Sequence, residues 1–457
     1  MKRLLLGCLL PCLWGLAAGP LRADQPKLPH VEVTDQKLDN GLRVIIAVDR
    51  TAPVFGIDVC YNVGSRNERP GRTGFAHLFE HMMFEGSENV GKGEHFILVL
   101  NNGGNMNGTT NEDRTTYFEA LPKNQLDLAL FLESDRMRAL AVNQSNLDNQ
   151  RNAVQEERRL GEDNQPYGHA FEDVDNLAYD NFAYKHSTIG SMRDLNAASV
   201  DDVKDFFRIY YAPNNAVLTL VGDLDPAETL AKVKKYFGGI PSQPAPPSLD
   251  TTEPEHYGER TETVMDPLAR LPLVVLAYHI PAGNTADNYA MHVLANVLGG
   301  GQSSRLYQHL VKEKQLATQV FAEADARRGP SMLYLYAFLR PGVKPDDCKQ
   351  AILDDIAAVQ KDGITAQELE KARIQLLRGQ IQVRQTDLFE AVTIGNDAVY
   401  FDDPNLINTT MDKYDAVTAD QVKAAAQKYL VASYRVVVTD LPAPHEGKAA
   451  HATKEGR

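Results

Sequence analysis

Beyond its first 23 residues the sequence lacks any apolar run approaching the roughly 20 residues that a membrane-spanning helix needs. Cysteine is scarce, with 4 in 457 residues, and only Cys60 and Cys348 lie outside the N-terminal segment. Two cysteines so far apart make no disulfide framework, so the fold must rest on its core; whether they pair stays open. Positive charge is also short, with 47 Lys and Arg against 61 Asp and Glu and a formal net charge of −14. So acidic a surface argues against nucleic acid and anionic membrane as partners. Hydrophobic residues at 43% and charged residues at 24% are ordinary for a globular protein. The length exceeds what one core organises, which points to two or more domains.

The first residues differ from the rest. Lys2 and Arg3 precede an apolar stretch from Leu4 to Ala18, followed by Gly19, Pro20 and Ala23. A charged start, a short apolar run and a small-residue exit predict a secretory leader over residues 1–23, with a periplasmic destination. As a membrane anchor the run is short and broken by Gly7, Pro11 and Gly15; as a mitochondrial presequence it lacks Arg and amphipathicity. Cleavage fits either Ala18 or Ala23. Cys8 comes too early for a lipoprotein signal. Losing Lys2, Arg3 and Arg22 with this segment would take the net charge from −14 to −17.

Pro241, Pro244, Pro246, Pro247 and Pro254 mark residues 241–254 as a semi-rigid linker that can continue neither helix nor central strand. It separates an N-terminal domain (24–240) from a C-terminal one (255–445), with a polar tail at 446–457. The two look duplicated. Ser199-Val200-Asp201-Asp202-Val203-Lys204 leads to Tyr210 and an apolar run, and Thr418-Ala419-Asp420-Gln421-Val422-Lys423 leads to Tyr429 and another, each 219 residues later. Each unit reads as a Ser/Thr cap, an amphipathic helix and a strand. Strands are expected at 42–48, 54–63, 106–110, 115–120, 273–280, 319–324 and 332–339. Helices are expected at 73–84, 94–100, 124–140, 145–160 and 201–210, and after the capping box Thr365-Ala366-Gln367-Glu368. Hairpins mixed with helices predict α+β domains, each a mainly antiparallel sheet with helices on one face.

Chemistry concentrates in Gly74-Phe75-Ala76-His77-Leu78-Phe79-Glu80-His81. Residues four apart share a helix face, so His77 and His81 can offer imidazole nitrogens to one metal ion. Glu80 sits where a carboxylate reaches a water on that ion without being a ligand. Two His and a more distant carboxylate, with a fourth position for water, form a catalytic zinc set. The bland alternative is a helix with two His four apart by chance. With 12 His in the chain and an apolar helix around them, burial of unpaired His and Glu would be costly, and metal removes that cost. A third ligand must come from elsewhere. The helix around Gln150 to Arg159 offers candidates, although Glu156-Glu157-Arg158-Arg159 taken alone reads most simply as a solvated charged face.

H-x-x-E-H followed about 75 residues later by a helical Glu resembles the pitrilysin/insulinase family of zinc peptidases, and within it the bacterial half-length members similar to mitochondrial processing peptidase subunits. The resemblance also rests on Asn107-Gly108-Thr109-Thr110 with Thr115-Thr116-Tyr117, and on Gly299-Gly300-Gly301-Gln302-Ser303-Ser304-Arg305-Leu306. It covers nearly all of the chain after the leader. It implies one Zn2+ per chain, His77, His81 and Glu157 as its ligands, and Glu80 as general base. The family often has a supporting Glu where this chain has Gln150, whose amide can hydrogen-bond but adds no charge. Asn107, Gly108 and Thr109 would lie on an edge strand to which an extended peptide adds by main-chain pairing; the usual Ala is Gly108 here. On residues alone this stretch reads as a turn-rich strand start.

The second half departs from the family. Where relatives resemble L-R-x-x-x-x-L-x-Y, with Arg and Tyr reaching the substrate and the oxyanion, this chain has Val311 and Thr318. Neither side chain supplies a cationic or phenolic donor. The second half also lacks its own H-x-x-E-H. The resemblance therefore implies an exported zinc endopeptidase acting on peptides or unfolded polypeptides, as the catalytic subunit of a heterodimer whose zinc-free partner supplies Arg and Tyr. A homodimer is the second choice. The competing function is a catalytically inactive peptide-binding or assembly subunit, against which the complete set of four site residues argues.

Overall fold

The computed structural model describes residues 28–254 and 258–444; the leader expected over 1–23 and the tail expected over 446–457 lie outside them. The described residues from Val31 on form one unit built on two sheets. The first contains β1 (Val33–Lys37), β2 (Arg43–Val48), β3 (Val54–Tyr61), β4 (Asn105–Thr110), β5 (Thr115–Pro122) and β6 (Ala216–Gly222), in the order β1-β2-β6-β3-β5-β4. The second contains β7 (Arg260–Asp266), β8 (Leu273–Ile280), β9 (Ala317–Ala324), β10 (Ser331–Leu339) and β11 (Arg435–Pro442), in the order β7-β11-β8-β10-β9. In each sheet one pair is parallel, β2 with β6 and β7 with β11, and the other pairs are antiparallel.

The second sheet repeats the first without β1. The 219-residue offset carries β3 (Val54–Tyr61) onto β8 (Leu273–Ile280) and the helix Val200–Tyr210 onto Ala419–Tyr429. Ser199 and Thr418 are the N-caps expected, and each goes further and closes a capping box with Asp202 and Gln421; the capping box expected at Thr365 also forms. This is the α+β architecture read from the sequence. Residues 241–254 contain neither helix nor strand.

Two strands escaped the sequence reading. β1 is Val-Thr-Asp-Gln-Lys and β7 is Arg-Thr-Glu-Thr-Val-Met-Asp, both polar and mostly exposed at sheet ends. Ladder hydrogen bonds on one side hold them, so no apolar alternation announces them. The helices Ala170–Ala178 and Asp387–Phe401 also went unread.

The pleat sends Val44, Ile46, Val59, Tyr61, Leu218 and Leu220 into the main core with Phe75, Leu78, Phe79 and Met82. The alternate residues Ile45, Ala47, Cys60, Val217 and Val221 pack against Ala391, Ile394 and Ala398 of the helix Asp387–Phe401. So both faces of the first sheet are covered, the second by a helix from the other half of the chain. Cys60 and Cys348 are buried, free thiols.

Close approach of that helix requires Gly56 on β3. A Cβ there would stand 2.6 Å from both Cα and N of Leu388, backbone atoms that cannot swing aside. Gly56→Ala is expected to destabilise the protein by about 1–3 kcal/mol through overpacking, read as a lower urea midpoint. An unchanged midpoint would mean that the helix is not seated on β3.

Candidate metal centre

The helix Phe75–Met82 starts where Gly74 turns through a φ of +83°, a conformation that favours glycine. Its apolar side carries Phe75, Leu78, Phe79 and Met82, all buried. Each contributes roughly 1.5–3 kcal/mol by leaving water. Phe79 lies 4.1 Å from Tyr211 and 5.8 Å from Phe207, ring centroid to centroid. With that side fixed against aromatic rings, His77 and His81 share the opposite side, their centroids 4.8 Å apart.

The helix Gln144–Arg158 packs alongside and brings Glu157 to them. Glu157 Oε2 stands 3.6 Å from His77 Nε2 and 3.3 Å from His81 Nε2. Glu80 projects beside the pair and is largely buried; its Oε2 accepts a 2.6 Å hydrogen bond from Thr110 Oγ1. Gln150 Oε1 lies 3.2 Å from His81 Nδ1. Thus the structure brings together His77, His81, Glu157, Glu80 and Gln150.

Burial, and then the neighbouring His81, push the His77 imidazole down to about 4, so the ring is neutral at neutral pH and one of its nitrogens has a lone pair available. Burial would also lower His81, but the Glu157 hydrogen bond and charge outweigh it and hold that ring above its ordinary value. Glu157 is held below the usual carboxylate range by its hydrogen bond to His81, against some burial. Glu80 is raised by burial, with the Thr110 hydrogen bond opposing.

Two ligands bound about 2.0–2.1 Å from one tetrahedral zinc stand about 3.3–3.4 Å apart, close to the spacing of these nitrogen and oxygen atoms. Two other His/carboxylate groups exist among the described residues, His95 with Glu119 and Glu133, and Glu162 with His169 and Glu172. In the first, His95 Nε2 and Glu119 Oε1 are 2.5 Å apart, a hydrogen bond rather than two ligands of one ion, and Arg136 neutralises Glu133. In the second, Arg158 pairs with Glu162 at 3.2 Å and Glu172 at 3.0 Å. The His77, His81 and Glu157 group has no such internal cation among the described residues. Its donor set fits a divalent zinc ion.

The edge strand β4 forms one wall. Alternation puts Gly108 and Thr110 toward Glu80: a Cβ on Gly108 would lie 3.1 Å from Glu80 Cγ. Asn107 and Thr109 point the other way, Asn107 Oδ1 accepting from Gly108 N at 2.9 Å and Thr109 Oγ1 from Arg114 Nη1 at 2.6 Å. A cavity of about 370 Å3 opens here, lined by His77, Thr110, Glu112, Glu157, Phe171 and Glu172 among others. Neither Val311 nor Thr318 lines it. Val311 is buried, and Thr318 Oγ1 donates to Phe338 O at 3.1 Å.

The sequence reading missed Thr110, Glu68 and Glu85. Glu68 is buried and accepts from Gly74 N at 2.9 Å and Ala76 N at 2.7 Å, closing the start of the metal helix. Glu85 accepts from Gln150 Nε2 at 2.5 Å. Thr110 was within reach of strand alternation; Glu68 and Glu85 look like ordinary loop acids.

With this geometry in hand, comparison with known proteins is direct. Residues 43–191 match the family described as Insulinase (Peptidase family M16), and residues 197–376 match the one described as Peptidase M16 inactive domain. The zinc protease PqqE of Helicobacter pylori is 34% identical over 354 residues, 77% of this chain and 79% of the relative. A probable mitochondrial-processing peptidase subunit beta of Arabidopsis thaliana is 23% identical over 416 residues, 88% of this chain and 76% of that one. The crystal structure of a protease from Helicobacter pylori superposes with a TM-score of 0.86 at 29% identity, covering 90% of this chain and all (100%) of that one. This chain belongs to peptidase family M16, the insulinase family, whose members named here include zinc proteases. It is a half-length member: it spans 48% of the full periplasmic protease PqqL of Escherichia coli and 93% of the structure of that protein's first half, a likeness in fold with TM-scores of 0.75 and 0.74. Among the described residues no helix is long and apolar enough to cross a membrane.

Metal analysis of the purified chain is expected to give one zinc per chain. His77→Ala should weaken zinc binding by more than about 100-fold, since loss of an outer partner alone costs 10–100-fold. Equal affinity in the two proteins would remove His77 from the centre.

Proposed function

We propose that this chain is an exported zinc endopeptidase that cleaves peptides or unfolded polypeptides. The observation that carries the reading is the convergence of His77, His81 and Glu157 beside a buried Glu80. His77, His81 and Glu157 would hold the metal. Zinc, when bound, supplies a Lewis acid that activates water at neutral pH and polarises a carbonyl.

The chain's own residues do the rest. Glu80 accepts a proton at its carboxylate as the attack proceeds and returns it to the leaving amine. Its burial raises its affinity for that proton, and Thr110 fixes its orientation. β4 ends its sheet, so one of its sides is open to pair with the main chain of an extended peptide beside Asn107, Gly108 and Thr109. Gly108 leaves the space next to Glu80 that a methyl group would crowd.

The division of labour with a second chain rests on Val311 and Thr318. Arg327, the cation beside the cavity residues Glu112 and Asp175, is already engaged by Asp325, Asp175 and Glu112. A related partner without zinc would bring the Arg and Tyr donors that stabilise developing negative charge. Residues 1–23 support export to the periplasm.

Hydrolysis of a mixed fluorogenic peptide library tests the reading. Glu80→Gln is expected to lower turnover by about 10²–10⁴-fold while zinc content stays at one per chain. Full turnover in that variant would sink the peptidase mechanism. Activity that appears only on mixing with a related chain carrying Arg and Tyr would support the divided site; equal activity of this chain alone would end it. Gly108→Ala should fold normally and reduce turnover by a smaller factor, up to about tenfold, through displacement of Glu80.

A further inference from the structure

We infer that Glu85, acting through the amide of Gln150, sets the tautomer and ring orientation of His81; the inference rests on His81 being a metal ligand. Gln150 Nε2 donates to Glu85 Oε1 at 2.5 Å and to Asn149 Oδ1 at 2.8 Å. A carboxylate can only accept, so both hydrogens of the amide nitrogen are committed. The amide oxygen is left facing His81 Nδ1 at 3.2 Å. A carbonyl oxygen also only accepts, so Nδ1 must carry the hydrogen. Nε2, whose hydrogen is shared with Glu157 at 3.3 Å in this structure, is then the nitrogen that would give up that hydrogen and offer its lone pair to the metal.

The relay is anchored at its far end. Glu85 is buried apart from a small fraction of its surface, and its second oxygen pairs with Lys92 Nζ at 2.6 Å. Its backbone oxygen accepts from Asn146 Nδ2 at 3.2 Å, which ties the turn after the metal helix to the helix carrying Gln150. Gln150 itself is uncharged; the negative charge of the relay stands one residue further out. His77 has no counterpart to this chain. Its Nδ1 is buried without a partner among the described residues, so nothing comparable selects its tautomer. His81 is therefore the ring prepared in advance, and Glu85 and Gln150 are positioning residues rather than ligands.

Chelator-competition titration of zinc tests the inference on the purified full-length chain, with the thermal midpoint of each metal-free variant as a folding control. In E85K the introduced ammonium can only donate. It turns the Gln150 amide round, points N–H groups at Nδ1 and moves the ring hydrogen to Nε2, so zinc affinity should fall about 10–100-fold. E85Q keeps an acceptor for Gln150 and should stay within about threefold of the parent. The double variant E85K/Q150E places an acceptor-only group between the new ammonium and Nδ1, and should recover most of the affinity.

Parental affinity in E85K would overturn the relay. So would equal losses in E85K and E85Q, which would mean that charge alone matters, or failure of the double variant to recover while remaining folded. H81A separates the levels. A large loss in H81A with none in E85K rejects only the relay, whereas an unaffected H81A rejects the metal centre and the relay with it.

Discussion

Two backbone N–H groups at the start of the metal helix donate to one buried carboxylate, and the arrangement of the whole centre depends on that contact. The first N–H groups of any helix have no partner within it. Here Glu68 accepts from Gly74 N and Ala76 N, and Asp194 accepts from Thr73 N at 3.1 Å just before them. The Phe75–Met82 helix has eight residues, barely two turns, too few to hold an orientation by itself. Glu68 and Asp194 fix its start, and Phe79 among Phe206, Phe207 and Tyr211 fixes its rotation. Only then do His77 and His81 point the same way at one carboxylate. Burial raises Glu68, but the His186 hydrogen bond and the two N–H groups oppose that shift. His186 Nε2 lies 2.9 Å from Glu68 and also lines the cavity, so the anchor and the cavity wall are mechanically connected.

How far the centre was legible followed the range of the interaction. His77, Glu80 and His81 lie on two turns of one helix, so their spacing carried the chemistry. Glu157 needed a tertiary contact. Spacing left Glu156 and Glu157 equivalent, and the resemblance selected the latter. The packed helices show the physical difference: Glu157 faces the imidazoles, and Glu156 turns outward to Arg159 at 3.0 Å. On β4 the reading grouped Asn107, Gly108 and Thr109 as one surface. The pleat splits them, and Thr110 joins Gly108 on the side of Glu80. Glu85 was beyond reach, because a polar residue four positions after His81 acquires meaning only when Gln150 arrives from another helix. The fold was read with the same bias. Strands with buried faces were found, and β1 and β7, whose side chains are mostly exposed, were not.

Electrostatics separates the centre from the other charged clusters. Beneath β5, Arg136 is fully enclosed with Glu133, Glu119 and His95, and its guanidinium lies 4.5 Å from the centre of the Tyr117 ring. Burial pushes Glu119 and Glu133 up to about 7 each, with Arg136 opposing. That cluster supplies its own cation and closes on itself, which makes it a rigid base for the strand beside β4. At the candidate centre the fold instead aims a carboxylate at two imidazoles, and among the described residues no Arg or Lys pairs with that carboxylate. Desolvating such a set without a cation is unfavourable, and a divalent ion offsets it. The absence of an internal cation is thus as informative as the ligands themselves.

The second half explains its own persistence. Its sheet repeats the connectivity of the first, yet the helix Ala286–Gly299 is apolar and carries no H-x-x-E-H, and Val311 and Thr318 give no donors to the cavity. It is nevertheless part of the framework of the first half, because the halves exchange helices. Asp387–Phe401 covers Ile45, Ala47, Cys60, Val217 and Val221 on the first sheet, while Ala170–Ala178 covers Leu273, Val275, Ala277, Val436 and Val438 on the second. Without the second half, one whole face of β2, β3 and β6 would meet water, and these strands also support the metal helix from their other face. The helix Ala170–Ala178 follows the Glu157 helix closely in sequence, and Arg158 reaches it through Glu172. A shift of the second sheet would therefore be transmitted to the residue next to Glu157. The second half acts on the candidate centre mechanically, through the backbone it covers and the helix it holds.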